Sequence, residues 1–182
     1  RRLRYVRYAD DFLLVYAGTL AEATEIKEKI AALLRTKLNL TLSADKTLIT
    51  HASTGRARFL GYEIGTMYCQ TKFDKLRKRA VNGKIGLYIP EDVLQKKRQR
   101  YLRDGKVHHR TELMNDSEYD IIIRYQAEYR GLVQYYTLAQ NRCRLGYVGF
   151  TMETSLLKTL ASKGRTTFAK TLKRLKSTTQ SP

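Results

Sequence analysis

Leu3-Arg4-Tyr5-Val6-Arg7-Tyr8-Ala9-Asp10-Asp11-Phe12-Leu13-Leu14-Val15-Tyr16 is the stretch on which the reading of this chain turns. Two segments rich in aromatic and aliphatic residues, Leu3 to Tyr8 and Phe12 to Tyr16, have strand character and are joined by Tyr8-Ala9-Asp10-Asp11. The expectation is a β-hairpin whose tip carries two adjacent carboxylates. On ideal strand geometry neighbouring side chains point to opposite faces, and a tight turn relaxes that alternation. Two carboxylates held close repel each other unless a cation lies between or beside them. Magnesium binds through one or two carboxylates together with substrate phosphates, so Asp10 and Asp11 are candidate metal ligands for phosphoryl transfer. Asp also favours turns, and a solvated surface turn is the plain competing reading of these four residues alone.

The charge of the whole chain bears on that choice. The 182 residues carry 35 Lys and Arg against 17 Asp and Glu, a net charge of +18. A balance this basic points to a polyanion. The cations gather in three runs, Lys72 to Arg79, Lys96 to Arg103 and Lys163 to Lys176, and the candidate RNA contacts within them are Lys72, Lys75, Arg77, Lys78, Arg79, Lys96, Lys97, Arg98, Arg100, Lys163, Arg165, Lys170, Lys173 and Arg174. Thirteen interleaved tyrosines offer stacking faces and hydroxyl donors. The spread of charge argues against a single membrane-surface helix, and no apolar run approaches the roughly 20 residues of a membrane span. Nucleic acid is therefore the expected partner and a membrane is not. Cys69 and Cys143 are too few for a disulfide framework, and His51, His108 and His109 lack zinc-ligand spacing with them. The chain opens on Arg1-Arg2 rather than Met, and it is expected to be part of a longer polypeptide.

After the hairpin, Thr19-Leu20-Ala21-Glu22 has the form of a capping box. Leu20, Ala23, Ile26, Ile30, Leu33, Leu34 and Leu38 then follow helical spacing and define a face expected to pack on the sheet. Asn39 is the expected left-handed stop. A strand is expected over Thr47–Thr50, after the turn Ala44-Asp45-Lys46-Thr47. Arg58 to Ile64 reads as one strand with a bulge at Gly61. Residues 70–85 are basic, poor in periodicity and expected to be a linker. Beyond them a helix capped by Asp92 is expected to run to about Arg103, with a polar loop over 104–116. A long helix follows over 117–141, with the stripe Ile122, Tyr125, Tyr129, Leu132, Val133, Tyr136 and Ala139 inward and Arg124 and Arg130 on the polar face. Gly131 inside it costs about 1 kcal/mol relative to alanine, which suggests close packing or the approach of a ligand. A further helix is expected from Thr154 or Ser155, broken at Lys163-Gly164-Arg165, then a last basic helix and a disordered tail over 177–182. The fold class is α+β.

Tyr8-Ala9-Asp10-Asp11-Phe12 resembles the Tyr-Xaa-Asp-Asp box of reverse transcriptases, with Ala in second place as in the group II intron branch. Leu42-Ser43-Ala44-Asp45-Lys46-Thr47 is similar to the block that follows the catalytic hairpin there. Phe59-Leu60-Gly61-Tyr62 resembles the primer-grip block. Arg130-Gly131-Leu132 with Gln134-Tyr135-Tyr136 and Ala139-Gln140-Asn141 resembles the thumb, or maturase domain X, as does Met152 to Ala161. In place of the family's Lys-His-Lys type of run the chain has Lys163-Gly164-Arg165. The likeness covers nearly the whole chain in order.

The resemblance implies a C-terminal palm portion over 1–69, a basic linker over 70–85, a helical thumb and maturase domain over 86–176 and the tail. It implies an RNA-directed DNA polymerase that uses Mg2+ and also helps intron RNA to splice, in a bacterial or organellar ribonucleoprotein. Partners would be intron RNA, an RNA template with a DNA primer and, in the complete enzyme, a deoxynucleoside triphosphate. Asp10 and Asp11 would hold metal, Lys46 would act as general acid, and Tyr8, Arg58, Phe59 and Gly61 would lie along the primer. The family's further palm aspartate lies upstream, so the chain alone is expected to be catalytically incomplete. The alternative is an RNA-binding splicing factor whose polymerase site is unused. Oligomeric state is left open, a homodimer included.

Overall fold

The computed structural model describes residues 2–73 and 75–179. The chain divides into two compact units, residues 1–87 and 88–182.

In the first unit, β1 (Arg2–Tyr8) and β2 (Asp11–Ala17) form the expected antiparallel hairpin, with Tyr8 opposite Asp11 and Arg2 opposite Ala17. α1 (Leu20–Leu38) starts as its capping box requires. The Thr19 hydroxyl accepts from the Glu22 N–H at 3.3 Å, and the Glu22 carboxylate accepts from the Thr19 N–H at 3.0 Å. The Tyr16 hydroxyl donates to the same carboxylate at 3.0 Å, tying β2 to α1. Asn39 closes the helix in the left-handed region at φ 54°, its N–H bonded to the Leu34 carbonyl. The expected packing of α1 is not realised, since none of its residues is buried. Ala23, Ile26, Ile30 and Leu34 are half-covered, while Leu20, Leu33 and Leu38 are exposed.

No strand forms over Thr47–Thr50. That segment is irregular after the turn at Ala44–Lys46, and Leu48 is 76% exposed. A strand persists only where a neighbour takes up its amides and carbonyls, and here the Thr47 carbonyl accepts instead from Lys27 Nζ of α1. The stretch read as one bulged strand is a hairpin, β3 (Ala57–Phe59) and β4 (Tyr62–Thr66), with Phe59 opposite Tyr62. Its two-residue turn has Leu60 at φ 48° and Gly61 at φ 70°. Two positive φ values match the twist of the flanking strands, which explains the glycine without any bulge. β5 (Ile85–Tyr88) adds to β4. The described residues of the expected linker over 70–85 form an excursion between β4 and β5 that is hydrogen-bonded in places. The Met67 N–H donates to the Lys84 carbonyl (2.7 Å), Cys69 N–H to Asn82 Oδ1 (2.7 Å) and Ala80 N–H to the Lys72 carbonyl (3.1 Å).

The second unit holds the core. α2 (Glu91–Gln99) starts after Pro90 with no side-chain cap, so Asp92 lies in its first turn and does not cap it. The helix stops short of the expected Arg103 because Leu102–Arg103 and Lys106–Val107 pair as β6 and β7. Asp104 (φ 51°) and Gly105 (φ 73°) form their turn, the short hairpin signal of an Asp-Gly pair. A 3-10 turn, Thr111–Leu113, falls within the expected loop. α3 (Glu118–Tyr135) begins at the Ser117 cap, whose hydroxyl accepts from the Asp120 N–H at 3.1 Å. It ends six residues before the expected Asn141, and its buried stripe is Ile121, Tyr125 and Leu132, with Tyr136 and Ala139 buried just beyond. Val133, expected inward, is 38% exposed.

α4 (Leu145–Lys163) starts well before the expected Thr154, despite Gly146 and Gly149. Gly149 is where α3 approaches: a Cβ there would meet the Tyr129 ring at 2.9 Å. A Cβ on Gly131 would meet nothing within 4 Å, so the close packing expected at that residue is absent. α4 supplies the centre of the core, with Val148, Ser155, Thr159 and Leu160 almost fully buried. It ends at the expected break, and α5 (Phe168–Thr179) follows. Of the expected disordered tail, residues 177–179 continue α5 and 180–182 lie outside the described residues.

Candidate functional site

The register of the first hairpin leaves Ala9 and Asp10 as a two-residue turn. Ala9 takes φ 51°, a region that costs an alanine roughly 1–2 kcal/mol. The Arg7 guanidinium straps this turn, its Nε donating to the Ala9 carbonyl at 2.6 Å. The outcome is that Asp10 and Asp11 are presented, exposed, at the tip beside Tyr8, which is 66% exposed. Among the described residues no group of three or more His, Cys, Asp or Glu side chains is arranged to hold a metal ion. Asp10 and Asp11 are two exposed carboxylates adjacent in sequence, the donor type a magnesium ion takes together with water and phosphate oxygens.

Lys46 is exposed in the Ala44–Lys46 turn, on the segment anchored to α1 through Lys27. Arg58 is opposite Glu63 in the β3–β4 ladder, with an ion pair at 3.7 Å, and Arg56 reaches the same carboxylate at 3.4 Å. Phe59 is half-buried against Tyr62 and Gly61 is exposed in the turn. Lys72, Lys75, Arg77, Lys78 and Arg79 are all exposed along the excursion.

In the second unit, Lys96, Lys97 and Arg100 are exposed on and after α2, as are Arg130 on α3, Arg165 in the α4–α5 turn and Lys170 and Lys173 on α5. Other expected contacts are engaged within the fold. The Arg98 guanidinium is 4.3 Å above the Tyr147 ring, and its buried Nε has no hydrogen-bond partner among the described residues. Lys163 Nζ donates to the Met114 carbonyl at 2.9 Å. Arg124 pairs with Asp116 at 3.4 Å, and Arg174 makes two 3.0 Å hydrogen bonds to Glu118. These four therefore hold helices and loops together.

One cluster escaped the reading of the sequence. Arg110 donates to Glu112 at 2.7 Å and to both oxygens of Glu128 at 3.1 and 3.2 Å, and its guanidinium is 5.3 Å from the Tyr125 ring centroid. The Tyr101 hydroxyl donates to Glu128 as well. Burial works against the Arg110 charge, yet the two carboxylates outweigh it and the group is held protonated more firmly than usual. Burial also works against ionised Glu128, but the Tyr101 and Arg110 hydrogen bonds hold it below the ordinary carboxylate range. Burial and Glu128 push the Tyr101 phenol up. Beside this cluster, Tyr125 Oη is 2.9 Å from Ser155 Oγ and 3.2 Å from Thr159 Oγ1. Thr159 accepts the Arg110 N–H at 3.0 Å, and Ser155 donates to the His108 carbonyl at 2.6 Å. The residues bonded here are up to about 50 positions apart in sequence, so no local pattern could have paired them.

A family model described as type II intron maturase matches residues 84–181. The chain belongs to the type II intron maturase family. Over 187 residues it is 40% identical to the group II intron-encoded protein LtrA of Lactococcus lactis subsp. cremoris, an alignment covering 96% of this chain and 31% of LtrA. It is 32% identical over 191 residues to the putative COX1/OXI3 intron 1 protein of Saccharomyces cerevisiae, covering 96% of this chain and 23% of that protein. Over 60 residues it is 43% identical to protein YkfC of Escherichia coli, covering 33% of this chain and 16% of YkfC. The maturase chain thus spans about a third or less of the curated relatives it matches. No described helix of it is long and apolar enough to cross a membrane.

Proposed function

We propose that this chain is the part of a group II intron reverse transcriptase and maturase that carries the metal-binding carboxylates of the palm and the RNA-gripping thumb. The observation that carries the polymerase half is the exposed Asp10–Asp11 pair, held out by a left-handed Ala9 beside Tyr8. Asp10 and Asp11 would hold Mg2+, which when bound neutralises charge on the phosphates of primer and incoming nucleotide. Tyr8 offers a flat exposed ring beside the carboxylates for the primer end or the nucleotide. Lys46 would donate a proton to the leaving pyrophosphate, and Arg58, Phe59 and Gly61 would line the primer path. The exposed cations of the excursion, α2, α3 and α5 would take the phosphates of intron RNA or of a template-primer duplex. Helical RNA is recognised mostly by shape and backbone, which suits scattered cations better than a few base-specific groups. The setting would be a ribonucleoprotein in a bacterial cytoplasm or an organelle.

A second reading, a splicing factor that binds RNA and does not polymerise, is favoured by one observation. The family match at residues 84–181 falls almost wholly on the second unit, which has its own core. The test is Mn2+ as a paramagnetic stand-in for Mg2+, read by NMR. Selective broadening of the Asp10 and Asp11 signals that disappears in Asp10→Ala supports the polymerase reading. Broadening that ignores Asp10→Ala, or none at all, favours the splicing factor.

A further inference from the structure

The outer end of the β6–β7 hairpin carries charge in an arrangement that its own stability does not explain. Arg103 and Lys106 are directly opposite each other in the ladder, and both are exposed. Residues paired in this way project to the same face, and like charges there repel. The half-covered pair Leu102 and Val107 supplies what packing the hairpin has, so packing does not require two cations at its tip. The base of the hairpin is fixed to α4. Lys158 Nζ donates to the Val107 carbonyl at 2.6 Å, and Ser155 Oγ donates to the His108 carbonyl at 2.6 Å. A third cation is thereby brought to the same place, with two of its three donors left after that bond.

Next along the chain, the His108 and His109 rings stack at 4.1 Å. Burial first, then His108, Arg103 and Lys158, holds the His109 imidazole below its ordinary range, a sign of positive potential at this spot. Glu112 and Glu128 are both bonded to Arg110, and the turn itself carries one carboxylate, Asp104, against the two cations Arg103 and Lys106.

We propose that Arg103 and Lys106 at the hairpin tip, with Lys158 of α4, bind successive phosphates of an RNA backbone. This rests on the RNA-binding reading above and assigns it to residues outside the cations named there. A nucleic-acid strand presents phosphates in a row, which matches cations displayed across two strands and a helix. A single small anion would satisfy one of them. Repulsion across the hairpin is relieved when the phosphates arrive.

The test uses the intact chain, a short RNA duplex and a salt series, with Lys106→Glu and Arg103→Gln. Lys106→Glu places a carboxylate opposite Arg103, so its Tm is expected to hold or rise, by about 1–5 °C. Its RNA affinity is expected to fall by about tenfold, and the slope of log affinity against log salt to become shallower by about 1–2. Arg103→Gln is expected to shift the slope in the same direction without lowering Tm. Unchanged affinity and slope in both variants would overturn the inference, while a steep slope for the parent would leave the RNA reading standing. No salt-dependent RNA binding by the parent would overturn both. Millimolar inorganic phosphate at constant ionic strength is expected to leave RNA binding unchanged. Displacement of RNA by it would mark a free-anion site and overturn the inference.

Discussion

The two units treat their apolar residues in opposite ways. In the second, Leu113, Ile121 and Leu160 are fully buried, and side chains from four helices meet around α4. In the first, the described buried positions are Gly65 and Gly86, while Leu3, Tyr5, Val6, Leu33 and Leu48 are more than half exposed. The first unit is therefore shaped by backbone devices: a strapped tight turn, a capping box, a left-handed stop and a second tight hairpin. The second is shaped by burial and by a polar cluster inside it. Apolar burial is the larger source of stability, at roughly 25 cal/mol per Å2, and local devices contribute about 0.5–2 kcal/mol each. The two units divide the labour. The carboxylates, with the cations of the 70–85 segment, are displayed on a part of the chain that owes little to packing, and the remaining cations ride on a part that owes much to it.

Truncation is expected to hurt the two units very unequally. Leu160→Ala, in a fully buried site, is expected to destabilise the second unit by about 2–5 kcal/mol in denaturant unfolding. Leu33→Ala on α1, 56% exposed, is expected to change stability by less than about 0.5 kcal/mol. Equal effects would break the contrast.

Removing Glu128 bears on the same contrast, because the side chain of Arg110 is only 11% exposed and would lose one of its two counter-charges. Glu128→Ala is expected to cost about 2–3 kcal/mol, somewhat below the range for fully buried pairs since Glu128 is partly solvated. The same cluster sets the pH response. Glu112 and Glu128 are held below the usual 4.5, so the unfolded chain takes up their protons first. Their contribution is present above about that pH and is lost as pH falls below it. Tyr101 and Tyr125 are pushed above 10, so the unfolded chain ionises first and stability falls as pH rises beyond that value. Melting of the second unit followed across pH is expected to weaken at both ends, with the acid limb flattened in Glu128→Gln.

A smaller effect is expected at Gly131, which has open space where a Cβ would go. Gly131→Ala is expected to stabilise α3 by about 0.5–1 kcal/mol. Weaker RNA binding in that variant would mean that the space is reserved for a ligand; unchanged binding would make the glycine neutral.

These contrasts also mark how far the sequence could be read. The carboxylate hairpin, the Thr19 and Ser117 caps, the Asn39 stop and the break at Gly164 were legible, because each depends on residues within a few positions of one another. The Phe59-Leu60-Gly61-Tyr62 hairpin was read as a bulge because Leu60, a poor residue for positive φ, hides a turn that needs two such residues. The start of α4 is hidden in the sequence because Gly146 and Gly149 look like a connection, whereas Gly149 makes room for Tyr129. The Arg110 cluster and the opposed cations of the β6–β7 hairpin depend on partners or a register that local periodicity does not carry. Among the candidate site residues, Arg98 and Lys163 read as surface cations, and only the fold reveals the Tyr147 ring and the Met114 carbonyl that engage them.

The most direct test of the maturase reading is a competition between a group II intron RNA and an unrelated RNA of equal length, at raised salt, for the intact chain and its Asp10→Ala variant. The account predicts that both proteins prefer the intron RNA, and equally, because the cations proposed to grip it belong mainly to the second unit. No preference in the parent, or a preference lost with Asp10, would contradict it.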